Sequence, residues 1–193
     1  MVKEVYRAMN PIRTKHRIAR GLAIVLLLVN GHVVADTAAE VAVKAAVVHK
    51  IAKFVSWPET AFESDESPIR FCVVDHHSMF DALLKFDDRP IHGRPVRVLH
   101  MPEPVNIASR CDVLYLSPHE DQAAADWLRS VAGSPILTVS ETGRPGADDS
   151  IVRVAIRRDK VRFAINTDAS DRAGLSISAQ LLQLAAALGG GGV

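Results

Sequence analysis

The chain beyond residue 38 divides into short apolar runs and amphipathic segments. Residues 69–75, 111–117 and 135–140 are almost continuously apolar, which is typical of strands covered on both faces. Residues 38–56, 78–86 and 117–131 repeat apolar side chains every three or four positions, which predicts helices. Strands that alternate with helices in this way favour a parallel sheet.

The remaining segments complete a predicted order of α-β-α-β-β-α-β-β-β-α. Residues 94–100 alternate as a half-buried or edge strand, and residues 151–157 and 161–166 predict a hairpin around Asp159 and Lys160. A final helix is expected from Ser170 to about residue 188. The order predicts a single compact α/β domain: a mostly parallel sheet with helices on both faces and an antiparallel edge hairpin.

The first 35 residues have the layout of a secretory signal peptide. Six basic residues with one acidic residue precede the nine apolar residues 21–29, and small residues follow. A nine-residue helix reaches only ~14 Å, against ~30 Å of hydrocarbon, although an uncleaved anchor is the alternative. Cleavage is expected after Ala35, with Ala38 or Ala39 as other positions. This leaves an exported domain at 36–188 and a glycine-rich tail at 189–193.

The net charge of the chain changes sign when the leader is left out. The whole chain carries +1, and the leader contributes +5, so the exported part carries −4. A negative domain lacks the basic footprint that non-specific nucleic-acid binding needs, so no nucleic-acid partner is expected.

Two cysteines, Cys72 and Cys111, lie in the exported part. In an oxidising compartment they are expected to form a disulfide, which would stabilise the fold by roughly 4 kcal/mol in the chain-entropy model. Two separate buried thiols are the alternative.

Catalytic, cofactor and metal motifs are not recognisable, so no enzyme activity is expected. The sequence has no G-x-S-x-G elbow, phosphate-cradling loop or H-E-x-x-H. His76 and His77 follow a buried strand at the edge where ligands bind in such folds, but adjacent side chains seldom face the same way, which favours a solvated loop. Ser117 before a helix is more simply a cap than an anion site.

Four residues are candidates for a partner surface. Arg153, Arg157 and Arg162 share one face of the predicted hairpin, with Arg157 expected directly opposite Arg162. Such like charges are unfavourable unless an acidic group of the chain, a partner, or an anionic head group or nucleotide relieves them. A solvated outer face is the alternative. Trp57 before a proline is either a core residue or an exposed anchor.

The exported part contains six characteristic segments: KIAKFVSWP (50–58), IRFCVV (69–74), CDVLYL (111–116), ILTVS (136–140), VRFAIN (161–166) and AGLSISAQLLQLA (173–185). In this order they resemble the YfiR family, and the resemblance covers residues 40–187. One region departs from the family pattern. Many members have a Gly-Gly turn where this chain has residues 143–150, so partner contacts there are not transferred.

The resemblance implies a periplasmic protein that represses an inner-membrane diguanylate cyclase by contacting its periplasmic sensor domain. An OmpA-like outer-membrane lipoprotein would sequester it, and cyclic di-GMP and biofilm formation would be the output. A homodimer is a further expectation, since Ser176, Gln180 and Gln183 offer a polar, uncharged helix surface. The competing hypothesis is a periplasmic small-molecule binding module that feeds a membrane sensor.

Overall fold

The computed structural model describes residues 37–74, 76–103, 106–116, 121–141, 149–158 and 160–189. The expected signal peptide and most of the glycine-rich tail lie outside these residues. The helices are α1 (Ala38–Ala52), α2 (His77–Leu84), α3 (Asp121–Ser130), α4 (Thr167–Arg172) and α5 (Ala179–Gly189). The strands are β1 (Val55–Ser56), β2 (Ile69–Val74), β3 (Val96–Met101), β4 (Val113–Leu116), β5 (Leu137–Glu141), β6 (Val152–Arg157), β7 (Lys160–Ile165) and β8 (Ser176–Ile177).

Six strands form the main sheet in the order β3-β2-β4-β5-β6-β7. The first five are parallel to one another, and β7 pairs antiparallel with β6 at the edge. A separate two-stranded antiparallel sheet joins β1 and β8. The α/β class, the mostly parallel sheet and the edge hairpin that the sequence predicted are therefore confirmed.

The two faces of the main sheet carry cores of different size. The larger core packs α1, α2 and α5 against alternate residues of the sheet, among them Phe71, Tyr115 and Val139. The smaller core packs Trp127 and Leu128 of α3 against the opposite side chains of β2 and β4. Successive side chains of a strand point to opposite faces, so a strand buried on both faces must be apolar at almost every position.

Helix α1 begins in a capping box, in which the Thr37 hydroxyl accepts from the Glu40 backbone N–H and the Glu40 carboxylate accepts from the Thr37 backbone N–H. The helix ends at Ala52, four residues before the predicted end. The reason is pairing with a distant segment, since Val55 lies opposite Ile177 in the small sheet. A local apolar pattern carries no record of such a contact.

The predicted final helix is two helices. Gly174 has a φ of 67° and ends α4, because this left-handed conformation costs a residue with a side chain more than it costs glycine. Strand β8 then intervenes before α5. Leu184 of α5 has 47% of its surface exposed.

A disulfide joins Cys72 in β2 to Cys111 just before β4, with 5.8 Å between the two Cα atoms. The same end of these strands carries a second link. The Arg70 guanidinium donates to both oxygens of the buried Asp112 carboxylate at 2.9 Å, and this bond raises the pKa of Arg70. The amino ends of two adjacent parallel strands are therefore fastened covalently and electrostatically.

The main effect of the disulfide should be to raise the free energy of unfolding of the whole domain. Replacing both cysteines, Cys72→Ser with Cys111→Ser, is expected to lower the free energy of unfolding by about 4 kcal/mol, because a loop closed over 39 residues loses its constraint in the unfolded state. Urea denaturation without reductant measures this loss. Reductant should destabilise the wild type and leave the double variant unchanged. If reductant does not change the free energy of unfolding of the wild type, and two free thiols can be titrated in it, the native disulfide is contradicted.

Candidate functional site: the β6–β7 hairpin

The β6–β7 hairpin carries the three arginines that the sequence singled out. Its apolar face consists of alternate residues that pack into the larger core, including Val154 opposite Phe163. The other face pairs Arg153 with Ala164, Ala155 with Arg162, and Arg157 with Lys160. We call Arg153, Arg157, Lys160 and Arg162 the arginine face.

The predicted register of this hairpin is wrong by one residue on each strand. Arg157 lies opposite Lys160, so it is not opposite Arg162 but diagonal to it. The turn begins at Arg158, whose φ of 52° is the left-handed conformation that two-residue hairpin turns require. Asparagine and glycine usually mark such turns, and their absence here explains why the sequence misplaced it.

Positive charge remains concentrated on the arginine face in the corrected register. Arg157 and Lys160 are exposed, and Arg162 is half-buried. Within the described residues, the side chains of Arg157 and Arg162 form no hydrogen bond or ion pair, whereas Arg153 has a partner of its own. This face is therefore able to bind anionic groups on another molecule.

Trp57 has a structural contact at the amino ends of the parallel strands. Its Nε1–H donates to the Asp112 carbonyl oxygen at 3.2 Å, and its ring meets Phe62 edge-on with centroids 6.4 Å apart. The side chain is half-buried against the larger core. Asp112 precedes β4 at the amino ends of the parallel strands, whereas Arg157 ends β6 at their carboxyl ends, so Trp57 and Arg157 do not form one site.

The histidines near the end of β2 are more ordered than the sequence suggested. His76 is not in a solvated loop: it is 92% buried and caps α2, its Nδ1 accepting from the Met79 backbone N–H at 3.0 Å. Helix α2 therefore begins at His77, one residue before the predicted start at residue 78. His77 contacts His100 of β3, with ring centroids 5.3 Å apart. No group of three potential metal ligands occurs within the described residues.

A buried polar cluster between α1 and the sheet was missed by the sequence reading. The Lys44 ammonium contacts the Glu141 carboxylate at 2.6 Å, and the Tyr115 hydroxyl donates to the other Glu141 oxygen. All three residues are at least 91% buried. The available signal was the position of Lys44, which falls on the apolar arc of α1 between Val41 and Val48. The cluster links α1 to β4 and β5 of the sheet.

His49 is the other buried polar residue of α1. Its ring stacks on Phe86 with centroids 4.5 Å apart, and its Nε2 has no hydrogen-bond partner among the described residues. Burial, with smaller effects from Lys53 and Arg89, lowers its pKa from 6.5 to about 4. His49 is therefore neutral in the folded protein at ordinary pH.

Residues 41–186 match the family described as YfiR/HmsC-like. The match covers more than half of the chain, and the chain therefore belongs to this family, as the resemblance predicted. Membership makes it a periplasmic regulator of cyclic di-GMP signalling in general terms, in a family that is regulatory rather than catalytic. Over the part of the chain that the structure describes, no helix has the length and apolar character needed to cross a membrane.

His49 should make the protein sensitive to acid. Above pH 6.5 the imidazole is neutral in both states, and between pH 6.5 and about 4 only the unfolded state binds the proton, so stability falls. A His49→Leu variant is expected to lose less stability than the wild type over that interval. Urea unfolding at successive pH values measures the difference. His77→Leu, the same substitution at an exposed histidine of α2, is the matched control for the change of residue type. Parallel curves for wild type and His49→Leu would refute the assignment.

Proposed function

We propose that this protein represses an inner-membrane diguanylate cyclase by binding its periplasmic sensor domain, and that the arginine face is part of the contact. Two observations support the proposal. The chain belongs to the YfiR/HmsC-like family. The described part of the hairpin also presents cationic side chains, of which Arg157 and Arg162 have no partner there. The second observation is the reason for choosing the arginine face as the contact surface.

Export is part of the same proposal. Residues 1–35 direct the chain through the inner membrane and are removed after Ala35, so that the domain from residue 36 folds in the periplasm. An oxidising compartment suits the Cys72–Cys111 disulfide, which would be unusual in the cytoplasm.

Repression requires that the regulator bind one state of the cyclase better than the other. A binding protein shifts a conformational equilibrium only by the difference between its affinities for the two states. The arginine face would therefore meet an acidic surface that the inactive sensor domain exposes. An OmpA-like outer-membrane lipoprotein would relieve repression by sequestering the regulator, which lowers its free concentration.

Charge reversal on the arginine face tests the contact. The double variant Arg157→Glu with Arg162→Glu should weaken binding to the cyclase's purified periplasmic domain by at least about tenfold, because charge pairs at an interface become repulsions. Biolayer interferometry gives the affinity, and cellular cyclic di-GMP should rise in parallel.

A matched variant at the end of α1 controls for the change in net charge. Lys50 is exposed in the last turn of α1 and Lys53 is exposed just after the helix, and Lys50→Glu with Lys53→Glu alters the charge of the protein equally. This control should bind as the wild type does. If the two double variants bind equally well, the arginine face is not the contact.

A further inference from the structure

Two histidines meet at the carboxyl ends of β2 and β3. His77 is the first residue of α2, which follows β2, and His100 lies one residue before the end of β3. Their ring centroids are 5.3 Å apart, and the ring planes are tilted by 47°. His77 is exposed and His100 is half-buried, so one ring of the pair is open to solvent.

The His100 ring has a buried nitrogen without a partner. Its Nε2 atom forms no hydrogen bond with any residue that the structure describes. Val73 of β2 lies opposite His100 and belongs to the larger core, so the imidazole lies on the face of the sheet that this core covers. A buried polar atom without a partner is costly, and a bound ion or water removes that cost.

His49 provides a useful contrast, because its buried Nε2 also has no partner among the described residues. It stacks on Phe86, and the positive charges of Lys53 and Arg89 contribute to lowering its pKa. The same charges would repel a metal cation at His49. His100 instead lies beside a second imidazole, which is the commonest metal ligand in proteins.

The separation of the His77 and His100 rings fits a shared tetrahedral metal ion. A Zn–N bond of about 2.0 Å and a ring radius of about 1.2 Å place each centroid about 3.2 Å from the ion. At the tetrahedral angle the two centroids are then about 5.2 Å apart. Neighbouring ligands of a square-planar ion such as Cu²⁺ would bring them to about 4.5 Å. The observed 5.3 Å therefore favours Zn²⁺.

The topology of the sheet places His77 where ligands bind in folds of this kind. Strand β2 lies between β3 and β4. Helix α2 connects β2 to β3 and packs in the larger core, whereas α3 connects β4 to β5 and packs in the smaller one. Ligands of open α/β sheets bind outside the carboxyl ends of strands at such a change of direction.

We infer that His77 and His100 bind one Zn²⁺ ion, with water completing its coordination. The protein ligands are Nε2 of His100 and one ring nitrogen of His77, so the ion links the start of α2 to the end of β3. Structural zinc sites use four protein ligands, and a site with two holds the ion less tightly and exchanges it with the surroundings. The inference does not depend on the proposed function, since it concerns other residues.

Isothermal titration calorimetry with ZnSO₄ tests the site in the purified protein, prepared without a histidine tag and stripped with a chelator. The wild type should bind one ion. His77→Ala and His100→Gln should each weaken binding by at least about tenfold, since each removes one of two protein ligands. The exposed His92, whose Nε2 contacts the Val55 carbonyl oxygen, supplies the matched control His92→Asn, which should bind as the wild type does.

Thermal unfolding without zinc verifies that each variant is folded. His77 is exposed, so His77→Ala keeps the test decisive even if His100→Gln fails to fold. Equal zinc binding by the wild type and His77→Ala would show an adventitious ion only and would overturn the inference. Loss of binding in only one of two folded variants would also overturn it, because a shared ion needs both rings.

Nitrogen-15 NMR of the histidine side chains identifies the ligands directly. Added ZnSO₄ should shift the imidazole nitrogens of His77 and His100 and leave those of His92 unchanged. The competing explanation is a contact between the His100 N–H and the ring of Phe80, which lies nearly perpendicular to it with centroids 5.9 Å apart. That contact predicts no zinc-dependent shift at His100, and this result would overturn the site.

Discussion

The unequal covering of the main sheet leaves one face of the β6–β7 hairpin exposed, and this is the face that we propose for partner binding. Parallel strands must be covered on both faces, and β2 and β4 meet this requirement with the larger core on one side and α3 on the other. The antiparallel hairpin at the edge does not need cover on both faces, because antiparallel strands are stable with one face in water. The hairpin therefore packs Val154 and Phe163 inward and is free to carry charge outward.

A rigid frame makes this surface useful for binding. The disulfide and the Arg70–Asp112 pair fasten β2 to β4, and the Lys44–Glu141 pair fixes α1 over the sheet. A surface whose supporting strands are already fixed loses little conformational entropy on association, so more of the contact energy appears as affinity. These structural residues would thus hold the proposed binding surface in place.

The sequence predicted the features that local patterns determine. The strands of the main sheet, the edge hairpin and the faces of its side chains follow from apolar periodicity, and the cysteine pairing follows from an oxidising compartment. Contacts between distant segments were not predictable in this way. Strand β1 ends α1 early only because β8 comes back to pair with it, and Glu141 becomes the partner of Lys44 only when the sheet forms.

The candidate site shows the same division. The three arginines could be assigned to one face from strand alternation alone. Which residues lie opposite them depends on the position of the turn, and the turn begins at Arg158, where neither glycine nor asparagine marks it. A groove at the ends of α3 and α4 was invisible in the sequence, because its lining comes from these helices, the segment after α3 and the starts of two strands.

Export is the requirement that separates this account most sharply from any cytoplasmic role. The most direct measurement is cellular cyclic di-GMP after deletion of the gene, followed by complementation with the full chain or with a chain lacking residues 1–35. The account predicts that deletion raises cyclic di-GMP, that the full chain restores the original level, and that the leaderless chain, expressed equally, does not. Restoration by the leaderless chain, or no change on deletion, would contradict it.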